Sequence, residues 1–224
     1  MPRHQGCAIK ARIAGCGTLV ALLALMAAPA RAQLLPHGDV AQGRALAQRV
    51  CATCHGADGN STDPTYPKLA GQNGSYLYDQ LLAFKAQGGR RASVVMGAMA
   101  VNLSDAEMRD AAAYFAAQLP KPTPAGAVLP SKLFALGESI YCRGISSAPA
   151  VPACASCHAL SGSGLPPGFP RLTGQHAQYL VKQLGEFRSG LRASDLNRLM
   201  ARVAHKLTDR DIDAVSQYIA QLQQ

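Results

Sequence analysis

A pentapeptide that occurs twice constrains this chain more than anything else in it. Cys51-Ala52-Thr53-Cys54-His55 returns 103 residues later as Cys154-Ala155-Ser156-Cys157-His158. Two thiols three positions apart, followed at once by an imidazole, form the attachment pattern of a c-type haem: both sulfurs bond one porphyrin edge and the histidine falls under the iron. A four-thiolate zinc site is the bland alternative, but a separation of 103 residues far exceeds the spacing of a zinc ribbon. A thioredoxin-like dithiol would need a preceding strand and a βαβ context, and neither is present.

The pentapeptides sit inside a longer repeat. Pro67-Lys68-Leu69-Ala70-Gly71-Gln72 matches Pro170-Arg171-Leu172-Thr173-Gly174-Gln175 at the same offset, as Tyr76, Gln80 and Phe84 match Tyr179, Gln183 and Phe187. Farther on, Met96, Leu103, Asp105 and Tyr114 match Met200, Leu207, Asp209 and Tyr218 at an offset of 104. The chain is therefore a tandem duplication of one small haem-binding unit. Apolar spacing of three and four predicts helices over 38–49 and 131–141 leading into the two pentapeptides, and over 75–86 and 177–188 beyond them. Ser104 with Glu107, and Thr208 with Asp211, read as capping boxes that open a last helix in each unit. No β-branched run alternates long enough for a sheet, so the expectation is all-α. Prolines at 120, 122, 124 and 130 mark a stiff linker between units, which must let the two face each other about a pseudo-twofold.

Residues 1–32 read as a secretory leader: Arg3, Lys10 and Arg12 precede an apolar run from Ile13 to Ala28, and Ala30-Arg31-Ala32 offers a small-x-small cleavage site. An uncleaved anchor competes, since 13–30 carries no charge over 18 residues, the short edge of a membrane span. A lipoprotein box at Cys16 does not fit, because the apolar stretch follows that cysteine. Loss of the leader removes four basic residues and no acid, lowering the formal charge from +9 to +5. Residues 33–124 hold 8 basic and 7 acidic side chains, and 125–224 hold 10 and 6, so the excess lies in the second unit. Dispersed charge without a recognition motif speaks against nucleic acid and suits a dipole that orients a redox partner. With two cysteines lost in the leader and four on haem, Cys142 is expected to be unpaired, buried or bridging to a second chain.

Each proximal histidine needs a partner for its second ring nitrogen, and the carbonyls of Pro67 and Pro170, twelve residues on from His55 and His158, are placed to accept it. Met96 and Met200 are the expected distal ligands, since a thioether favours reduced iron. Met99 is a rival to Met96, but its repeat partner is Val203. His37, His176 and His205 have no matched partner in the repeat and read as solvated loop residues.

These motifs, CATCHGADGN, YPKLAGQ and the methionine before NLSD in the first half, with CASCH, FPRLTGQ and the methionine before KLTD in the second, resemble the two-haem cytochrome c4 family over essentially all of residues 33–224. The resemblance implies cytochrome c domains at 33–119 and 131–224 joined by a linker at 120–130. It implies two covalently bound haem c groups, thioether-linked through Cys51, Cys54, Cys154 and Cys157 and ligated by His55, Met96, His158 and Met200. It further implies a periplasmic electron carrier, not an enzyme, that works in a respiratory chain between protein donors and a membrane oxidase or dehydrogenase. The rival is a haem subunit of a dehydrogenase or a thiosulfate-oxidising enzyme, in which one iron is open or thiolate-bound. A monomer with peripheral membrane association, or a dimer linked through Cys142, remains compatible with these motifs.

Overall fold

The computed structural model describes Cys7 and residues 38–86, 91–122 and 131–222. The expected leader apart from Cys7, His37, and residues 123–130 of the expected linker lie outside them. Among the described residues there is no strand, only three isolated bridges, so the fold is all-α.

The first unit runs through α1 (Val40–Leu46), which continues as a π-helical turn (Ala47–Cys51) into α2 (Ala52–His55), then α3 (Gly74–Lys85), α4 (Val94–Ala100) and α5 (Asp105–Ala116). The second repeats the order with α6 (Ser131–Arg143), α7 (Ala155–His158), α8 (Ala177–Ser189), α9 (Leu199–Ala204) and α10 (Asp209–Gln221). Both expected capping boxes are formed, by Ser104 with Glu107 and by Thr208 with Asp211, each closing two otherwise unpaired backbone donors.

In each unit the opening helix crosses the closing one at a glycine. A Cβ on Gly43 would lie 2.0 Å from the Asp110 carbonyl oxygen, and one on Gly137 2.2 Å from that of Ala214, so only a bare Cα permits the crossing. The cores follow from it: Ala47, Leu77, Ala112, Tyr114 and Phe115 in the first unit, Ile140, Tyr141, Leu180, Val215, Tyr218 and Ile219 in the second. The units differ in how the crossing helix reaches the pentapeptide. The π-helical turn carries α1 directly into Cys51, whereas α6 ends at Arg143 and a loop closed by the Ile145–Val151 bridge intervenes before Cys154.

Reciprocal bonds join the units, as a pseudo-twofold requires. The Gln72 amide donates to the Arg171 carbonyl (2.9 Å) and accepts from the Arg171 N–H (2.8 Å). Gln175 does the same to Lys68, at 2.9 Å for both bonds. The start of the connecting segment is pinned as well: Lys121 N–H donates to Asn60 (2.7 Å) and its ammonium pairs with Asp58 (2.6 Å).

Two expectations are corrected. His176 is not a solvated loop residue: it is 6 % exposed at the start of α8, with Nε2 3.0 Å from the Ser61 carbonyl of the other unit. The covering surface comes from a segment 115 residues away, which local sequence does not show. Cys142 is not unpaired here: it forms a disulfide with Cys7, which lies in the segment expected to be a leader, so while that bond holds its thiol is not free to bridge to a second copy. Cleavage after residue 32 would remove Cys7 and leave the Cys142 sulfur beside the Tyr218 hydroxyl, 3.8 Å away.

Candidate functional site

His55 and His158 end the short helices α2 and α7 and are 6 % and 5 % exposed. Nδ1 of His55 lies 2.9 Å from the Pro67 carbonyl oxygen, and Nδ1 of His158 2.9 Å from that of Pro170. A carbonyl only accepts, so each Nδ1 carries the proton and each Nε2 keeps its lone pair for a metal. Burial lowers both imidazole pKa values, against the opposing pull of the carbonyl, and so favours the neutral form that binds iron.

The residue before each proline adds a second restraint that sequence reasoning missed. Tyr66 stands edge-on to His55 (6.1 Å, 71°) and Phe169 edge-on to His158 (6.1 Å, 82°). The readable signal was an aromatic-proline pair repeated at 103.

Cys51, Cys54, Cys154 and Cys157 are all free thiols, half-buried. Burial pushes Cys51 up to about 11 and Cys154 up to about 12, so both stay protonated at neutral pH and are poor metal ligands unaided. The two thiol pairs do not converge either. Among the described residues no three or more His, Cys, Asp or Glu side chains gather as a metal site, which removes the four-thiolate zinc alternative.

A tyrosine holds the loop behind each histidine, though from different helices. Tyr114 of α5 donates to the Ala57 carbonyl (2.9 Å), while Tyr141 of α6 donates to that of Ala159 (2.6 Å).

Met96 and Met200 lie on the short helices α4 and α9, which the sequence periodicity did not reveal. Ser93 caps α4 by accepting from the Met96 N–H (3.2 Å), and Asp195 accepts from the Met200 N–H (2.5 Å). Asn197 and Arg198, just ahead of α9, both hold left-handed backbone (φ 51° and 54°). Two successive non-glycine residues in that region cost on the order of 1 kcal/mol each. Met99 points outward, 45 % exposed, and His205 is exposed at the end of α9.

The faces of these two helices differ. Val94, Val95 and Met99 expose apolar surface on α4, Val94 to 93 %. The matched positions beside Met200 carry Arg198, Leu199 and Val203, with Arg202 and His205 nearby.

The donors fit a covalently held haem in each unit: two free thiols, one neutral imidazole with an open Nε2, and a thioether on a capped helix downstream. Comparison with known proteins agrees. The cytochrome c family profile matches twice, over residues 40–118 and 135–223. A cytochrome c4 of Azotobacter vinelandii is 46 % identical over 191 residues, 81 % of this chain and 88 % of that protein. A thiosulfate dehydrogenase electron acceptor of Stutzerimonas stutzeri is 35 % identical over 209 residues, 93 % of this chain and 94 % of that one. The crystal structure of reduced recombinant cytochrome c4 from Pseudomonas stutzeri superposes with a TM-score of 0.76 at 41 % identity, covering 83 % of this chain and all of that one.

Proposed function

The chain belongs to the cytochrome c family, in its two-haem cytochrome c4 branch, and from that premise we propose that it carries single electrons in the periplasm between a respiratory donor and a terminal oxidase or another acceptor. Bound haem c supplies a one-electron iron couple in each unit. The residues proposed to hold it are Cys51, Cys54, His55 and Met96 in the first unit and Cys154, Cys157, His158 and Met200 in the second, with Pro67 and Pro170 fixing the imidazoles. The observation that carries the reading is the duplicated proximal site, a buried neutral histidine held by a proline carbonyl at 2.9 Å in both units.

Met96 and Met200 would each give a haem iron a second protein ligand beside the histidine, which would leave no coordination site for a substrate and supports a carrier over an enzyme. The half-buried position of Met96, against the exposed Met99, supports Met96 as the ligand. Among the described residues no helix is long and apolar enough to cross a membrane. The relative named as an electron acceptor of thiosulfate dehydrogenase favours a second donor, a sulfur-oxidising enzyme, with this chain still as the recipient.

The test is a haem count on denatured protein together with the weak red absorption that a thioether gives ferric haem. Two covalent haems per polypeptide are expected, with that absorption halved in Met96→Leu and in Met200→Leu and intact in Met99→Leu. A colourless denatured chain, a single haem, or an unaltered band in Met96→Leu refutes the reading.

A further inference from the structure

Arg91 and Arg192 pair their backbones at the boundary between the units, and both are buried with their guanidinium groups given to neutral side chains: Arg91 to Gln80, Tyr179 and Gln183, Arg192 to Tyr76, Gln80 and Gln183. From this common point the two units reach their methionines differently. Met96 follows Arg91 by five residues, whereas Met200 follows Arg192 by eight, so the second unit spends three more on the way. A serine stands two residues after each arginine, but only Ser93 caps a methionine helix. Its counterpart Ser194 turns to Gln80 of the other unit (3.4 Å), and Asp195 accepts from the Met200 N–H in its place.

That exchange puts a charged cap where the first unit has a neutral one. The Ser93 hydroxyl accepts from the Met96 N–H at 3.2 Å, while Oδ2 of Asp195 accepts from the Met200 N–H at 2.5 Å, as charge shortens such bonds. The backbone carbonyl of Asp195 also accepts from the Arg198 N–H (3.2 Å), so this one residue spans the left-handed turn at Asn197 and Arg198 that delivers Met200. Its other carboxylate oxygen, Oδ1, is buried without a hydrogen-bond partner, and no ion pair among the described residues includes Asp195. A carboxylate oxygen withdrawn from water and left without a partner is costly. Capping needs a single acceptor atom, which a serine supplies in the first unit. The second oxygen and the charge of Asp195 therefore call for a role beyond the cap.

A negative charge beside an iron ligand favours ferric over ferrous iron and so lowers the potential of that iron. Resting on the two-haem reading above, we propose that Asp195 is a positioning residue with two roles: it holds the segment that carries Met200, and its charge lowers the potential of the second haem relative to the first, whose cap is neutral. Two sites duplicated in their thiols, imidazoles and prolines then differ in their hold on an electron, and this charge favours residence of the electron in the first unit.

The test is a redox titration of the holoprotein that resolves both haems, each midpoint assigned to its unit by the haem that Met96→Leu or Met200→Leu alters. Asp195→Asn keeps an oxygen to accept from the Met200 N–H and removes the charge. The second-haem midpoint should rise, by about a tenfold fall in its ferric-to-ferrous ratio at fixed poise, about 59 mV for one electron, and the first should stay in place. Ser93→Asp makes the converse change at a position where aspartate caps about as well as serine. It should lower the first-haem midpoint by a similar amount and leave the second. An unmoved second-haem midpoint in Asp195→Asn with two haems and the red band intact overturns this inference alone, as does an equal rise of both midpoints. If Asp195→Asn fails to mature, Ser93→Asp decides, and an unmoved first-haem midpoint there overturns the assignment. A missing haem or band in the wild type overturns instead the reading beneath it.

Discussion

Replacing Gln72 by leucine should cost about 2–3 kcal/mol of holoprotein stability. Leucine fills similar volume, so the loss is mainly polar. Two bonds to the Arg171 peptide, at 2.8 and 2.9 Å, disappear and leave its N–H and C=O without their partner in a boundary where Gln72 itself is 7 % exposed. Each neutral bond is worth about 1 kcal/mol, and an orphaned buried group costs about 1–3; Arg171 is only half-buried, so water relieves part of that. With a urea dependence near ~2 kcal/mol per molar, the unfolding midpoint should drop by about 1 M. Gln175→Leu should match it, by the symmetry of the Lys68 bonds. The double variant should lose less than the sum, because both clasps hold the same two bodies and the second closes a joint already loosened by the first. Urea unfolding followed by far-ultraviolet circular dichroism and by haem absorption measures all three. A single-variant midpoint shift under about 0.2 M, or strict additivity, would refute the argument that these amides help hold the units together.

Gly137→Ala forces a Cβ to within 2.2 Å of the Ala214 carbonyl, so α6 and α10 must separate; a loss of about 3 kcal/mol or more is expected by calorimetry, against a negligible effect for Gly168→Ala, where a Cβ meets nothing within 4 Å. Burial is the main force lowering the His176 pKa, so the folded protein resists protonating it. The unfolded chain then binds more protons, and the stability tied to His176 is complete above about pH 6.5 and lost as pH falls toward the lower folded value, a dependence that His176→Gln should flatten in thermal melts across that window. The second unit is the more basic, and we expect it to meet the acidic partner: Arg198→Glu with Arg202→Glu should slow electron transfer at low salt and not at high salt in stopped-flow mixing, while an unchanged low-salt rate removes that assignment.

Helix α8 was legible almost to the residue, because a 13-residue amphipathic helix repeats its apolar spacing over several turns. Helices α4 and α9, at seven and six residues, are too short to show a period, and their caps draw on Ser93 and on a strained turn at Asn197 and Arg198. The arginine pair escaped the repeat for a different reason. Arg91-Ala92-Ser93 and Arg192-Ala193-Ser194 are separated by 101, between stretches aligned at 103 and 104, so a compensating deletion and insertion hide the match. His176 was misread because its partner Ser61 is 115 residues away, and the Cys7–Cys142 pairing was passed over because Cys7 was expected to leave with residues 1–32. The thiols and the proximal histidines were plain in the sequence, since that chemistry needs its atoms at neighbouring positions.

The clasps at the boundary grip peptide groups and not side chains. Their geometry therefore does not read which amino acid stands at 68 or 171, and it would be met equally by other non-proline residues there. The residue at either place can therefore change without loss of the backbone clasp itself, although Lys68 would also give up its ammonium bond to the Lys121 carbonyl (2.9 Å).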